Sequence, residues 1–256
     1  MKKTLVIGFG SIGQRHARIL KELGCEVTIV SQRGTSDFKT VNSLHKVSNL
    51  PDYFAVVVCS KTSQHAEDLK SLRELGFQGP VLVEKPLFLD IPSAPPAQKE
   101  KTYVAYNLRF HPIVSRLQSL LTGQKVISVF AYVGQYLPTW RSDRDYRTTY
   151  SAERSEGGGV LLDLSHEMDY LTLLFGGPTA VSALGGHDSH LEINSDDHYS
   201  LLWCTKKSTA IQLQMNYLDR FGRRFLVINC DKMTIAADFK AGEIRVDDDF
   251  IEELNC

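Results

Sequence analysis

Three side chains in one apolar segment are spaced for proton chemistry. Asp163, His166 and Asp169 lie in the run Val160-Leu161-Leu162-Asp163-Leu164-Ser165-His166-Glu167-Met168-Asp169-Tyr170-Leu171, directly after Gly157-Gly158-Gly159. On one helix, Asp163 and His166 share a face, and Asp169 stays within reach of the imidazole. A carboxylate beside a histidine raises the imidazole pKa and fixes its tautomer, which suits proton transfer near neutral pH. The pattern fits equally well two capping or hydrogen-bonding carboxylates around a satisfied core histidine. Three groups along one helix do not converge as a His-x-x-x-His pair does, so no metal is expected. Lys85, in Glu84-Lys85-Pro86, is a second proton-bearing group. Pro86 stiffens the backbone there, and a lysine so held can donate to a substrate oxygen or move its proton. A single lysine before proline is also a common surface feature.

A third constellation acts through the backbone. Gly8-Phe9-Gly10-Ser11-Ile12-Gly13 follows the apolar run Leu5–Ile7, and Ile12, Ile19, Leu20 and Leu23 then recur at helical spacing up to Gly24. Strand, glycine turn and helix in that order make a dinucleotide site. Gly8 permits the tight turn, Gly10 lets the backbone approach a pyrophosphate, and Gly13 lets the helix pack close to the strand. Ser11 and Ile12 complete the loop that faces the phosphates.

The elements that must position these groups follow in chain order. Glu26–Val30 reads as a second strand, whose end carries Ser31, Gln32 and Arg33 where NAD sites usually hold an acidic residue. Arg33 matches a 2′-phosphate, so NADP(H) is favoured and NAD(H) remains possible. Arg33 as a solvated loop residue is the plainer reading. Phe54–Cys59 is a continuous apolar run suited to a central parallel strand. Ser60, Thr62 and His65 follow at its carboxyl edge as cofactor contacts, although Thr62 or Ser63 would also cap a helix running to Leu75. Gly79–Val83 is a strand that ends in Glu84 and Lys85. Leu89 to Lys101, with Pro92, Pro95 and Pro96, reads as a loop. Thr102–Tyr106 resumes as a strand, and a boundary follows at Asn107/Leu108. Beyond a helical stripe at Ile113–Leu121, strands at 126–133, 180–184, 199–204, 210–215, 225–229 and 233–236 succeed one another with a single helical interruption. That rhythm points to an antiparallel sheet.

Tyr132, Tyr136, Trp140, Tyr146 and Tyr150 are interleaved with Arg141, Arg144, Arg147 and Arg154. Aromatic faces stack on sugar rings, and guanidinium forks bind carboxylate or phosphate. The same mixture suits a subunit interface. It would also suit single-stranded nucleic acid, but 29 Lys+Arg against 30 Asp+Glu gives a net charge of -1 and no support for that partner. With 256 residues, 43% hydrophobic and 23% charged, the chain is expected to fold as one or two globular domains. No apolar stretch is long enough for a bilayer, and the apolar run after Met1-Lys2-Lys3 stops at Gly8, short of a signal sequence. Cys25, Cys59, Cys204, Cys230 and Cys256 are scattered and are read as reduced thiols of a cytoplasmic protein.

Taken together, Gly8–Gly13, Glu84-Lys85-Pro86 and the 157–166 segment resemble the Gfo/Idh/MocA oxidoreductases, typified by glucose–fructose oxidoreductase and inositol dehydrogenase, over nearly the whole chain. The resemblance implies an α/β fold: an N-terminal Rossmann dinucleotide-binding domain over 1–107 and a C-terminal α+β domain over 108–256. The second domain would carry a mostly antiparallel open sheet whose outer face forms a homodimer or homotetramer interface. The resemblance implies that Lys85 meets the nicotinamide region and the reacting hydroxyl, that His166 is the acid/base, and that Asp163 helps hold the substrate. Glu84 and Asn107 join the cofactor contacts, and Arg109, Tyr136, Trp140, Arg144 and Tyr146 form the substrate set. The stretches Asn107–Pro112 and Gly134–Tyr150 resemble members linked to bacterial surface sugars, which implies a nucleotide sugar, amino sugar or sugar acid as substrate. Two features depart from the family pattern. Asp163 and His166 are three residues apart instead of four, and a Pro-rich loop replaces the helix after Glu-Lys-Pro, with a short C-terminus. An oxidoreductase on a sugar-like substrate is the first reading, and a non-catalytic NADP(H)-binding sensor on the same fold is the second.

Overall fold

The computed structural model describes residues 1–35, 37–91, 99–247 and 249–253. The chain separates into two compact units, Met1–Ala105 with Ser155–Gly157, and Tyr106–Arg154 with Gly158–Cys256.

The first unit is built on six parallel strands. In chain order it runs β1 (Lys3–Ile7), α1 (Ser11–Glu22), β2 (Glu26–Val30), β3 (Lys39–Val41), β4 (Ala55–Val58), α2 (His65–Glu74), β5 (Val81–Val83) and β6 (Thr102–Val104). The strand order is β3-β2-β1-β4-β5-β6, the doubly wound order of dinucleotide-binding folds. β1 and β4 read as unbroken apolar runs because both of their faces are covered: Leu5, Val56 and Val58 pack on one side, and Val6, Ala17 and Val57 on the other. The sequence expectations hold for β1, α1, β2, β4, α2 and β5 within a few residues. β3 has only three residues and was not anticipated. Positions 92–98, with Pro92, Pro95 and Pro96, lie outside the described residues, as does Cys256.

The second unit begins with α3 (Pro112–Leu120), β7 (Val126–Gly134) and the single-turn α4 (Leu137–Trp140). Short 3-10 turns lead to α5 (Val160–Asp163) and α6 (His166–Phe175). Seven strands follow: β8 (Pro178–Gly186), β9 (His198–Thr205), β10 (Ala210–Asn216), β11 (Arg224–Cys230), β12 (Thr234–Asp238), β13 (Glu243–Val246) and β14 (Asp249–Glu253). They form an eight-stranded sheet with β7, in the order β14-β13-β12-β11-β7-β10-β9-β8. Every pairing is antiparallel except β7 with β10. Alternate residues Val129, Ala131, Ile211, Leu213 and Leu226 turn into a core shared with α3, α5 and α6. The opposite face keeps Leu184 and Leu202 exposed. The single helix expected over 160–175 is two helices, because the backbone departs from helical angles at Leu164, φ -99° and ψ 25°.

Candidate functional site

In the first unit the glycine turn has the geometry its spacing predicts. Gly8 sits at φ +92°, and a Cβ there would stand 2.5 Å from the Cys59 carbonyl oxygen. A Cβ on Gly13 would run into the Gly8 carbonyl oxygen. Gly10 has extended backbone and open space where its Cβ would be. The turn is therefore closed on the protein side and clear on the outer side, at the N-terminus of α1. This is the cradle a dinucleotide pyrophosphate requires, so the residues present fit that cofactor. Ser11 and Ile12 are exposed on the first turn of α1.

At the carboxyl edge of β5, Glu84 occupies an inner position. One carboxylate oxygen lies 2.7 Å from His16 Nε2 of α1, and the other accepts from the Lys85 amide at 3.2 Å. Glu84 is thus taken up in fixing the backbone on which Lys85 stands, with its side-chain oxygens already occupied. The Lys85–Pro86 peptide is cis, and Lys85 is half-buried. At the end of β2, Ser31 Oγ accepts from the Arg33 amide at 3.0 Å, and the Arg33 side chain is exposed.

One expected cofactor contact is corrected. His65 is 1% exposed: Nδ1 faces the carbonyl oxygens of Pro86 and Leu87 at 3.1 and 3.2 Å, and Nε2 faces that of Ser60 at 3.1 Å. The ring ties the β4 and β5 edges together and has no free nitrogen for a cofactor. The Ser60 hydroxyl donates to Asp68. Burial pushes that carboxyl up, and the Ser60 bond and nearby His65 only partly offset it. Thr62 opens a 3-10 turn ahead of α2 and makes no capping bond, so the helix-cap alternative is not realised either.

In the second unit Asp163 is also corrected. It is 3% exposed, and three hydroxyls converge on it: Tyr150 on Oδ1 at 2.7 Å, with Ser151 and Tyr217 on Oδ2 at 2.6 and 2.9 Å. Burial, then the adjacent carboxylate, drives both tyrosine pKa values up, so both phenols stay protonated as donors. A carboxylate saturated this way holds α5 to the sheet and does not reach out to a sugar. His166 is half-buried at the start of α6, with its ring edge-on to Tyr106 at 5.6 Å. Asp169, one turn on, makes a bidentate pair with Arg109, at 2.7 Å to Nε and 2.6 Å to Nη2. That hydrogen bond holds the guanidinium charged.

The substrate set scatters. Tyr136 lies under Arg220, 4.3 Å from ring centre to guanidinium. Tyr146 packs against the core and accepts from the Glu192 amide at 3.3 Å. Arg144 is exposed and paired with its neighbour Asp143 at 2.8 Å, so its guanidinium serves a local turn. Asn107 is exposed in the 3-10 turn Asn107–Phe110. Trp140 alone of the five lines a cavity of about 350 Å3 at the β7–β11 end of the sheet. Arg223, Arg224 and Lys240, which line it too, were missed. Each falls in or beside a strand whose length was legible, but whose neighbours in space were not. Among the described residues no group of three or more His, Cys, Asp or Glu could hold a metal ion, and no helix is long and apolar enough to cross a membrane.

A doubly wound unit with a glycine cradle, joined in one chain to a unit with a largely antiparallel sheet, defines a class: the two-part nicotinamide-dependent oxidoreductases. Family models agree. Residues 2–101 match the oxidoreductase family with an NAD-binding Rossmann fold, and residues 114–236 match the GFO/IDH/MocA C-terminal domain. The chain belongs to the GFO/IDH/MocA oxidoreductase family. No curated protein sequence matches it. Among solved structures, UDP-N-acetylglucosamine 3-dehydrogenase GnnA from Acidithiobacillus ferrooxidans shares the fold, with TM-score 0.76 and 18% identity over 100% of this chain and 84% of that one. Levoglucosan dehydrogenase, in complex with NADH and levoglucosan, gives 0.81 and 17% over 96% and 75%. The WlbA dehydrogenase from Bordetella pertussis, in complex with NADH and UDP-GlcNAcA, gives 0.79 and 15% over 97% and 82%.

Proposed function

We propose that the chain is an NAD(P)-dependent dehydrogenase that interconverts a hydroxyl and a keto carbon of a sugar-like substrate. The observation that carries this reading is the pairing of an open glycine cradle with Lys85 on the carboxyl edge of the same sheet. When bound, the nicotinamide supplies the hydride acceptor or donor. Lys85 holds or moves the hydroxyl proton, on a backbone braced by Glu84 and His16. His166 is the second acid/base, its ring steadied by Tyr106. Arg109, fixed by Asp169, orients the substrate. The sugar class is supported by what the structural relatives act on or bind: a UDP-amino sugar, a UDP-sugar acid and levoglucosan.

Ser31 and Arg33 at the β2 edge favour NADP(H), since an exposed guanidinium there attracts a 2′-phosphate. Fluorescence titration with NADPH and NADH tests this, and tighter NADH binding would remove the Arg33 argument alone. The exposed apolar residues Leu184 and Leu202 support a homodimer through the outer face of the second sheet. The function is tested by following cofactor oxidation with keto-sugars and nucleotide keto-sugars. Substrate-dependent turnover that falls at least a hundredfold in Lys85→Ala is expected. Unchanged turnover in that variant would eliminate the role of Lys85, and cofactor binding with no turnover of any sugar would leave the sensor reading.

A further inference from the structure

The cavity in the second unit is built to take a negative charge. It opens where Gly134 and Arg223 bond across the end of the β7–β11 ladder, and where the Phe239 amide bonds to the Arg224 carbonyl. Three cations line it, Arg223, Arg224 and Lys240, and no carboxylate stands among the described residues that line it. One cation is braced from behind by a hydrogen bond and a second faces a buried carboxylate. Asp219, its side chain 1% exposed, takes Arg223 Nε at 2.7 Å, and fully buried Glu167 sits 2.7 Å from Arg224 Nε, which makes no hydrogen bond there. Burial works against the Asp219 charge, but the Arg223, Phe221-amide and Tyr132 bonds outweigh it and hold its pKa low, so the brace is ionised.

A guanidinium held through Nε keeps further N–H donors in a fixed plane, the arrangement that binds phosphate or carboxylate oxygens in pairs. Lys240 differs from the two arginines. Its Nζ donates to the Phe221 carbonyl at 2.7 Å, and among the described residues no carboxylate lies within ion-pair distance of it. Lys240 therefore has no carboxylate partner of its own, beside the pre-oriented guanidinium of Arg223 and the guanidinium of Arg224. Trp140 and Phe239 supply apolar wall, and Phe239 is fixed by a stacked Tyr170 at 5.2 Å. About 350 Å3 is within the range of small-molecule sites.

We propose that this cavity is an anion-reading substrate subsite, in which Arg223, Arg224 and Lys240 bind the phosphate or carboxylate of a charged sugar while Trp140 covers its apolar face. This rests on, and narrows, the sugar dehydrogenase reading: the substrate carries a formal negative charge. The probes are glucose, glucose 1-phosphate, glucuronate and uridine diphosphate, titrated calorimetrically into the full chain at low salt. At least one charged probe is expected to bind tenfold or more tighter than glucose, and the phosphate and carboxylate arms identify which oxyanion is read. Lys240→Gln touches only an exposed turn carbonyl and should weaken the charged probe about tenfold without lowering the melting temperature. Arg223→Gln should weaken it further, at some cost in stability because Asp219 loses its partner.

Equal affinity for glucose and the charged probes, no binding of any charged probe, or unchanged affinity in Lys240→Gln would each overturn the proposal. Charged-probe binding without any turnover would remove the dehydrogenase reading and leave the subsite. Turnover of a charged sugar that is indifferent to Lys240→Gln would remove the subsite and leave the dehydrogenase.

Discussion

In the β1–α1 turn, the groups offered to a ligand are backbone amides, and three glycines within six residues clear the space around them. In the segment from Gly159 to Asp169 the groups are side chains, and each takes its meaning from residues far away in sequence. Asp163 answers to Tyr150, Ser151 and Tyr217, Asp169 to Arg109, and His166 to Tyr106. The first arrangement is local and tolerates no added atom on its inner side. The second is assembled by the sheet and fails when a distant partner is lost. A motif spaced for chemistry can therefore be trusted further when its function depends on backbone shape than when it depends on what a carboxylate happens to face.

The largest expected effect lies in the local region. Gly13→Leu would drive a side chain into the Gly8 carbonyl and the Cys59 side chain, neither of which can move without displacing β1 or β4. We expect loss of cofactor binding and a destabilisation of about 3 kcal/mol or more, read by fluorescence titration and thermal melting. A variant that still bound NAD(P)H normally would break the account of the turn.

Asp163→Ala comes next. It strips the acceptor from the Tyr150 hydroxyl and from those of buried Ser151 and Tyr217, each unmet buried donor costing about 1–3 kcal/mol. A fall in melting temperature of about 6–12 °C is expected. Asp163→Asn keeps an oxygen and the shape, and should recover much of it. If Asp163→Ala instead melted normally and lost only turnover, Asp163 would return to the site from which its burial removes it.

Gly10→Val sharpens the comparison from the other side. The position is extended and unobstructed, so melting should move by no more than about 1–2 °C, while dinucleotide affinity drops tenfold or more as the added atoms fill the pyrophosphate approach. Equal loss of stability and affinity would show that Gly10 serves the fold.

The smallest effects are in the pH profile, and the two units carry opposite signs. Asp219 is held low in the folded state, so its contribution is present above an unfolded value near pH 4 and is lost as pH falls through the lower folded value. Asp68 is held high, chiefly by burial, so its contribution is present below that unfolded value and is lost as pH rises through the folded one. Asp219→Asn should flatten the acid limb of a melting-temperature profile, and Asp68→Asn the limb just above it. Matching profiles for both variants would refute the assignment of opposite shifts.

Much of the fold was legible because its signals are short-range. The apolar runs of β1 and β4 announce strands covered on both faces, and the alternation in β9–β11 announces strands covered on one. β3, β13 and β14 carry weaker patterns, and only pairing with a neighbour makes them strands. Gly8, Gly10 and Gly13 take the turn shape their spacing predicts, because a tight turn and close backbone approach are properties of a few consecutive residues. His65 and Asp163 depart from expectation for one reason: each is a polar group placed where a ligand group belongs, but burial and protein partners already satisfy it.

By itself, the sequence determined that a strand, a glycine turn and a helix open the chain, that a lysine stands at a strand edge, and that a sheet of consecutive strands follows. Steric space and hydrophobic periodicity act over a few residues and leave no other choice. Only the tertiary structure decided that the 160–175 helix breaks, that Asp163 is a structural acceptor, and that Arg223, Arg224 and Lys240 meet around one cavity. Those outcomes depend on which buried groups converge from positions as far apart as Ser151 and Tyr217 or Glu167 and Arg224, and in water alone none of those residues has a reason to meet.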